Sequence, residues 1–174
     1  MGALYSNLLA QVGWSWQTGA DAAPVVDNNR LVYRRDLDHG QEAFQADGVW
    51  HVEGQVLADG QSRTYNLQEL PFEVFGDEVI ICFHKVRAVA IVHRGQKPGI
   101  LQVGGAETDG WQGPLADPAH QIQIPAQGAF WAVHPEEGWS VTAQACRVRL
   151  EALGGEVLFD MVLLGNRPES SSSS

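Results

Sequence analysis

Apolar and polar positions alternate along the second half of the chain, and glycine or proline cuts the alternation at short intervals. Ile122 and Ile124 lead through Pro125 to a Gln127-Gly128 turn. The apolar run Ala129 to Val133 ends at His134-Pro135, and Glu136-Glu137-Gly138 turns the chain into Trp139, Val141 and Ala143. Val148 and Leu150 then alternate with Arg147, Arg149 and Glu151, Gly154-Gly155 turns again, and Val157 to Leu164 closes the segment. A period of two is the mark of a strand with one face buried. Short strands at roughly 8–12-residue spacing, joined by Gly or Pro turns, predict a β-sandwich or barrel.

The first half reads less evenly. Arg30 to Asp36 is a strand, Asp38-His39-Gly40 a turn, and Val49 to Leu57 a strand with Trp50 and Val52 on alternating positions. Ala58-Asp59-Gly60-Gln61 is a hairpin-grade turn from which Arg63 to Leu67 returns. Gln68 to Gly76 admits one short helical turn interrupted by Pro71. Val79 to His93 is the longest β-branched run, and it predicts a single strand through the middle of the sandwich. Ile100 to Val103 is short and stops at Gly104-Gly105, and Glu107 to Ala119 is a long loop holding Trp111 and Leu115. The expected fold is all-β, an antiparallel, jelly-roll-like β-sandwich at 31–166. An extended N-terminal arm at 1–30 carries Leu8, Leu9, Trp14 and Trp16, and a Ser-rich disordered tail occupies 167–174.

Composition narrows the function classes. The 174 residues favour one domain, and a hydrophobic share of 44% is enough for a real core. Lys and Arg number 11 against 21 Asp and Glu, a formal net charge of -10, which repels phosphate backbones and anionic lipid and argues against nucleic-acid or membrane partners. There is no run of 18 apolar residues and no basic, apolar leader at the N-terminus. Met1-Gly2 with Ser6 fits the loose myristoylation pattern, but without a second membrane signal it is read as a chance match. Cys82 and Cys146 lie far apart among apolar neighbours and read as buried free thiols of a protein made in reducing cytoplasm, with a cross-strand disulfide as the alternative.

Reaction chemistry finds little to stand on. The six histidines, His39, His51, His84, His93, His120 and His134, show no ligand spacing, so no metal and no cofactor are expected, a composite site from distant strands being the alternative. No Gly-x-Ser-x-Gly elbow occurs, and Cys82 with His84 is the ordinary same-face pair of a strand. Glu136-Glu137 sits in a turn where a solvated loop explains it better than a glycosidase pair. The chain is therefore read as having no catalytic residues. Six tryptophans are many for this length. Trp131 lies in an apolar run and reads as core, whereas Trp111 lies in a polar loop and is the candidate for an exposed, stacking or anchoring aromatic, with capping of the sandwich end as the alternative.

Several stretches in order resemble a family of small β-rich structural proteins encoded among the virion genes of tailed bacteriophages and prophages. They include Gln45-Ala-Asp-Gly-Val-Trp-His51, Ala58-Asp-Gly-Gln-Ser-Arg-Thr-Tyr-Asn-Leu67 and Lys85-Val-Arg-Ala-Val-Ala-Ile-Val92. Leu101-Gln-Val-Gly-Gly-Ala106, Gly138-Trp-Ser-Val-Thr-Ala143 and Phe159-Asp-Met-Val-Leu-Leu-Gly165 continue the likeness, which covers about residues 30–165. The chain departs from it at Val79–His84 and in the loop 112–118. The resemblance implies a non-enzymatic virion component and carries no functional residues across. On it rests the expectation of a capsid decoration (cement) protein on the outer capsid surface, a homotrimer bridging subunits of the major capsid protein. The arm residues Leu8, Leu9, Trp14 and Trp16 would grip the shell or a neighbour. The alternative is a tail or fibre module in which Trp111 and Leu115 contact host glycan or another virion protein; a metal-binding jelly-roll enzyme using some of the histidines is the third reading.

Overall fold

The computed structural model describes residues 3–18, 25–74 and 76–168. In chain order the strands are β1 (Ser6–Thr18), β2 (Val25–His39), β3 (Gln45–Ala46), β4 (Gly48–Leu57) and β5 (Ser62–Asn66). β6 (Leu70–Val74), β7 (Asp77–Ile81), β8 (Lys85–His93), β9 (Ile100–Gly104) and β10 (Gln121–Pro125) follow. β11 (Ala129–Val133), β12 (Trp139–Ser140), β13 (Arg147–Leu153) and β14 (Val157–Asn166) complete the set, with one 3-10 turn at Gly113–Leu115. The chain is all-β.

Two antiparallel sheets form the body. One runs β10-β9-β13-β5; the other runs β11-β8-β14-β4, with β12 added beside β8. Their facing sides share one core in which Trp50, Phe83, Ile91, Leu101, Leu150, Phe159, Met161 and Leu163 are essentially inaccessible to water. The alternation read along β13 and β14 is the alternation seen: Val148, Leu150 and Ala152 point inward, as do Val157, Phe159, Met161 and Leu163. Burying a large aliphatic or aromatic side chain is worth about 1.5–3 kcal/mol, so this layer is the main stabilising element.

Three expectations need correction. The run Val79–His93 is two strands: β7 pairs with β6, and the chain breaks at Cys82-Phe83-His84 before β8 enters the body sheet between β11 and β14. An unbroken apolar run cannot show where a chain turns, because here the turn itself is buried through Phe83. Gln68–Gly76 holds no helical turn among its described residues; Leu70–Val74 is a strand, and Pro71 sits in it with its carbonyl accepting from Trp50 Nε1 at 2.9 Å. Arg30–Asp36 does not join the sandwich. It is the middle of β2, which pairs with β1 along thirteen residues to make a long ribbon, so the arm boundary placed at residue 30 falls inside a strand. The Ser run expected to be disordered lies outside the described residues.

A bulge ties the ribbon to the body. On β14 the successive residues Leu164 and Gly165 pair with Ala88 and Val86, leaving Arg87 as an extra residue on β8. A bulge re-aims a side chain, and this one turns Arg87 inside, where it is 1% exposed. Its Nε donates to Asn166 Oδ1 at 2.6 Å, Nη1 to the carbonyls of Pro135 at 2.8 Å and Glu136 at 2.5 Å, and Nη2 to the carbonyl of Glu42 at 2.9 Å. Asn166 Nδ2 in turn donates to the carbonyls of Gly40 and Gln45. Gly165 is needed opposite the bulge, because a Cβ there would lie 2.1 Å from the Lys85 carbonyl oxygen. Burial lowers the guanidinium's pKa from its ordinary value, but arginine keeps its proton in proteins, so the charge is neutralised by carbonyl dipoles in place of a carboxylate.

Removing that group leaves a ring of buried acceptors unpaired, and breaking a buried charge network costs about 3–5 kcal/mol. Arg87→Ala is expected to lose stability on that scale, and Arg87→Lys to recover only part of it because the planar fork is gone. Truncating the surface arginine Arg34 should shift stability by about 1 kcal/mol or less. Urea denaturation followed by tryptophan fluorescence measures all three. A second expectation concerns acid. Burial by itself raises the Asp160 carboxyl pKa, but the Gly54 N–H at 2.8 Å and the Arg94 guanidinium outweigh it and hold the carboxyl below its ordinary value. A depressed folded pKa gives stability that is fully present above the unfolded value of about 3.9 and is lost as pH falls through the folded value. The loss below about pH 4 should flatten in Asp160→Asn, read from unfolding midpoints across pH.

Candidate functional site

The β1–β2 ribbon is the chain's most unusual surface. Antiparallel pairing puts Ser6 and Leu37, Leu8 and Arg35, Ala10 and Tyr33, Val12 and Leu31, Trp14 and Asn29, and Trp16 and Asp27 on one face. The base of this face lies on the outer side of the β11-β8-β14-β4 sheet. Leu8 and Leu37 are buried there with Ala46, Ala88 and Leu164, and Tyr33 meets Trp131 edge-to-face at 5.3 Å. Beyond the body the β1 side of this face stays apolar, with Asn29 and Asp27 beside it on β2, and no described residue covers it. Val12 is 64% exposed, Leu31 67%, Trp14 46% and Trp16 70%. From Gln11 to Trp16 and from Val26 to Val32 every residue with a described side chain is exposed, so the ribbon stands clear on both faces.

The edge is as unusual as the face. β1 is the outer strand of its sheet and carries no charged residue over thirteen positions. Natural monomers protect an edge with charge, proline, bulges or shortness, because unpaired backbone groups template association. β1 uses none of these, whereas β2 carries Arg30, Arg34 and Arg35 together with Asp27, Asp36 and Asp38. A long neutral edge backed by exposed tryptophan is a surface built to be covered.

The sequence candidates divide on this geometry. Trp14, Trp16 and Leu8 share a face, but Leu8 is already consumed in the contact with the body. Leu9 lies on the opposite face, exposed beside Arg34. Trp131 is half-buried under Tyr33 on the outside of the sheet, not in the core between the sheets.

Trp111 requires the largest correction. It is 8% exposed, packs edge-to-face on Trp139 and donates from Nε1 to the Ser140 carbonyl at 3.0 Å. The polar loop around it folds over the end of the sandwich, bringing Pro114, Leu115 and Pro118 to a small cavity with Val103, Ile122, Phe130 and Met161. Gly113 permits the fold, at φ +29°, since a Cβ there would meet the indole at 2.7 Å. The space left is about 20 Å³, room for about one water and none for a sugar. Leu115 is half-buried in the same cap. Neither residue is an exposed contact.

Among the described residues no group of three or more His, Cys, Asp or Glu is placed to hold a metal ion, and no helix is long and apolar enough to cross a membrane. Both cysteines are free. Burial pushes both thiols' pKa up, Asp109 adding to it at Cys146, which makes them poor nucleophiles. No family model matches the chain, and no curated protein matches it.

The burial of Trp111 makes a direct forecast. Trp111→Ala should cost about 3–5 kcal/mol as a core truncation does, and the fluorescence of the intact protein should not respond to cell-surface sugars. Thermal unfolding and a glycan titration check the two halves.

Proposed function

We propose that the chain is a non-enzymatic assembly protein of a tailed-bacteriophage particle, a capsid decoration (cement) protein held in place by the uncovered face of its β1–β2 ribbon. The observation that carries the reading is the continuous apolar stripe, packed on the body at Leu8, Leu37 and Tyr33 and bare at Val12, Leu31, Trp14 and Trp16. A monomer gains nothing by holding two tryptophans on a neutral edge in water. An assembly subunit gains the burial of each of them, and Trp is the residue type most often found as an interface anchor.

The body's topology supports the same reading. Its eight main strands pair in a nested series, β4 with β14, β5 with β13, β8 with β11 and β9 with β10. Nested pairing of this kind supports a jelly roll, an architecture that recurs in viral capsid and lectin domains. That likeness is one of architecture and weighs less than the ribbon. The likeness to virion proteins along residues 30–165 points the same way, and the burial of Trp111 removes the main support for a glycan-reading tail module.

The purified protein, incubated with shells of the major capsid protein of the particle it is proposed to decorate, should co-sediment in stoichiometric amount and raise the shells' melting temperature. Leu31→Glu and Trp16→Ala should each weaken binding at least tenfold, about 1.4 kcal/mol or more, with circular dichroism unchanged. Absence of binding by the folded wild-type protein, or binding indifferent to both substitutions, overturns the proposal.

A further inference from the structure

We infer that the uncovered ribbon face grips a second copy of this chain, lying across the outer side of that copy's β11-β8-β14-β4 sheet in a head-to-tail contact. This rests on the assembly reading above and names the first partner of that face.

The ribbon itself shows what it fits. Its base covers one cross-strand row of the outer sheet face, Val133, Ala88, Leu164 and Val49. The next rows out begin apolar and end in a polar residue: Trp131, Ala90 and Val162 ending at His51, then Ala129 and Val92 ending at Asp160. Ala90, Val92 and Val162 are half-buried on this outer face, and Trp131 is half-buried there under Tyr33. A groove of about 210 Å³ runs along the boundary, lined by Leu8, Ala88, Ala90, Trp131, Val162 and Leu164. Among the described residues one chain therefore carries both halves of a contact: a ribbon face clear of the body and a sheet face on which Ala90, Val92 and Val162 are only half-buried. The ribbon reaches the second row of its own sheet at its base, through Tyr33 on Trp131, and no further, because from Gln11 outward its described side chains are exposed.

Charge favours the same partner. Arg30, Arg34 and Arg35 balance Asp27, Asp36 and Asp38 on the ribbon of a chain whose net charge is -10, so this near-neutral ribbon is the part of one copy that approaches another acidic body with least repulsion. Magnitude decides the form. Six free residue pairs at ~3.4 Å each make a ribbon face ~20 Å long and ~10 Å wide, on the order of a quarter of the ~800 Å² per partner of a standard interface. A single contact is weak. The two patches are different surfaces, so the contact is heterologous and can close into a ring in which every copy gives one ribbon and receives one. Closure doubles the buried area per copy.

Sedimentation velocity with two single variants tests this. Leu31→Glu spoils the ribbon face, and Val92→Glu spoils the sheet face; a thermal unfolding midpoint close to wild type qualifies each, with Ala90→Glu replacing the second if it unfolds. Wild type should sediment as a closed multiple of the 19.0 kDa chain, and each variant alone as a monomer. Mixing the two restores one good ribbon–sheet pair, so heterodimers should form, more weakly than the ring. A wild-type protein that stays monomeric at all concentrations overturns the inference, and so does a mixture that stays monomeric, or a Val92→Glu variant that still pairs alone, as a symmetric ribbon-to-ribbon contact would allow. Monomeric protein that still binds shells through its ribbon would sink this contact and leave the decoration reading standing. Rings that ignore shells would do the reverse.

Discussion

The geometry of this protein depends on one buried cation. Arg87 stands at a bulge where β8 carries one residue more than β14, and its guanidinium reaches the turn after β11, the corner before β3 and the end of β14 together. A charge in that position survives only if every donor is met. The acceptors are an amide and backbone carbonyls, which cannot move away without unfolding the turns that carry them. The corner at residues 40–46 is thereby pinned to the sandwich, and that corner is where the ribbon ends. Parallel pairing of β2 with β3 extends the same anchor, through Asp38 with Gln45 and His39 with Ala46.

A pinned base explains how the ribbon can exist at all. Two strands alone are marginal in water, and among the described residues the outer half of this pair has neither a third strand nor a sheet beneath it. Its order is borrowed from the base, where Leu8, Leu37 and Tyr33 pack on Ala88, Leu164 and Trp131. The cross-strand pairs Val12–Leu31 and Trp14–Asn29 then continue a register already set. The apolar stripe is thus a structural necessity near the body and a surplus beyond it. Such a surplus, left exposed, is what distinguishes an interface from a core.

Much of the fold was legible because alternation is a direct print of a half-buried strand. β4, β5, β9, β10, β11, β13 and β14 stand close to where the period-two pattern and its glycine turns place them. The failures share a cause: pairing partners leave no mark on one strand's own pattern. Arg30 to Asp36 centres on the apolar run Leu31 to Tyr33 as a sandwich strand would, and nothing in it names β1 as its neighbour. The run through Ile81, Cys82 and Phe83 hides its corner because the corner is apolar. Arg87 is a lone cation inside Val86–Val92, and no local signal announces a bulge. At the site, Trp14 and Trp16 could be picked out from alternation in a stretch with no charge, whereas Trp111 was misplaced because a polar loop conceals that proline and Gly113 fold it over its own tryptophan.

The acidity of the chain and the neutrality of β1 make sense together. A subunit at -10 repels its own kind, which guards against indiscriminate clustering of bodies in solution. Any attraction must then be concentrated where charge is lowest and apolar area greatest, and on this chain those two conditions coincide on the ribbon. Among the described residues the ribbon is thus where repulsion is lowest and most of the exposed large apolar side chains gather, and Arg87 pins the corner at its root. A flexible arm with the same residues would bury the same side chains but would lose conformational entropy at each ordered position, about 1–2 kcal/mol per residue for the backbone. The paired ribbon has met that cost on folding, so a contact far smaller than a standard interface can still be specific, provided it is repeated around an assembly.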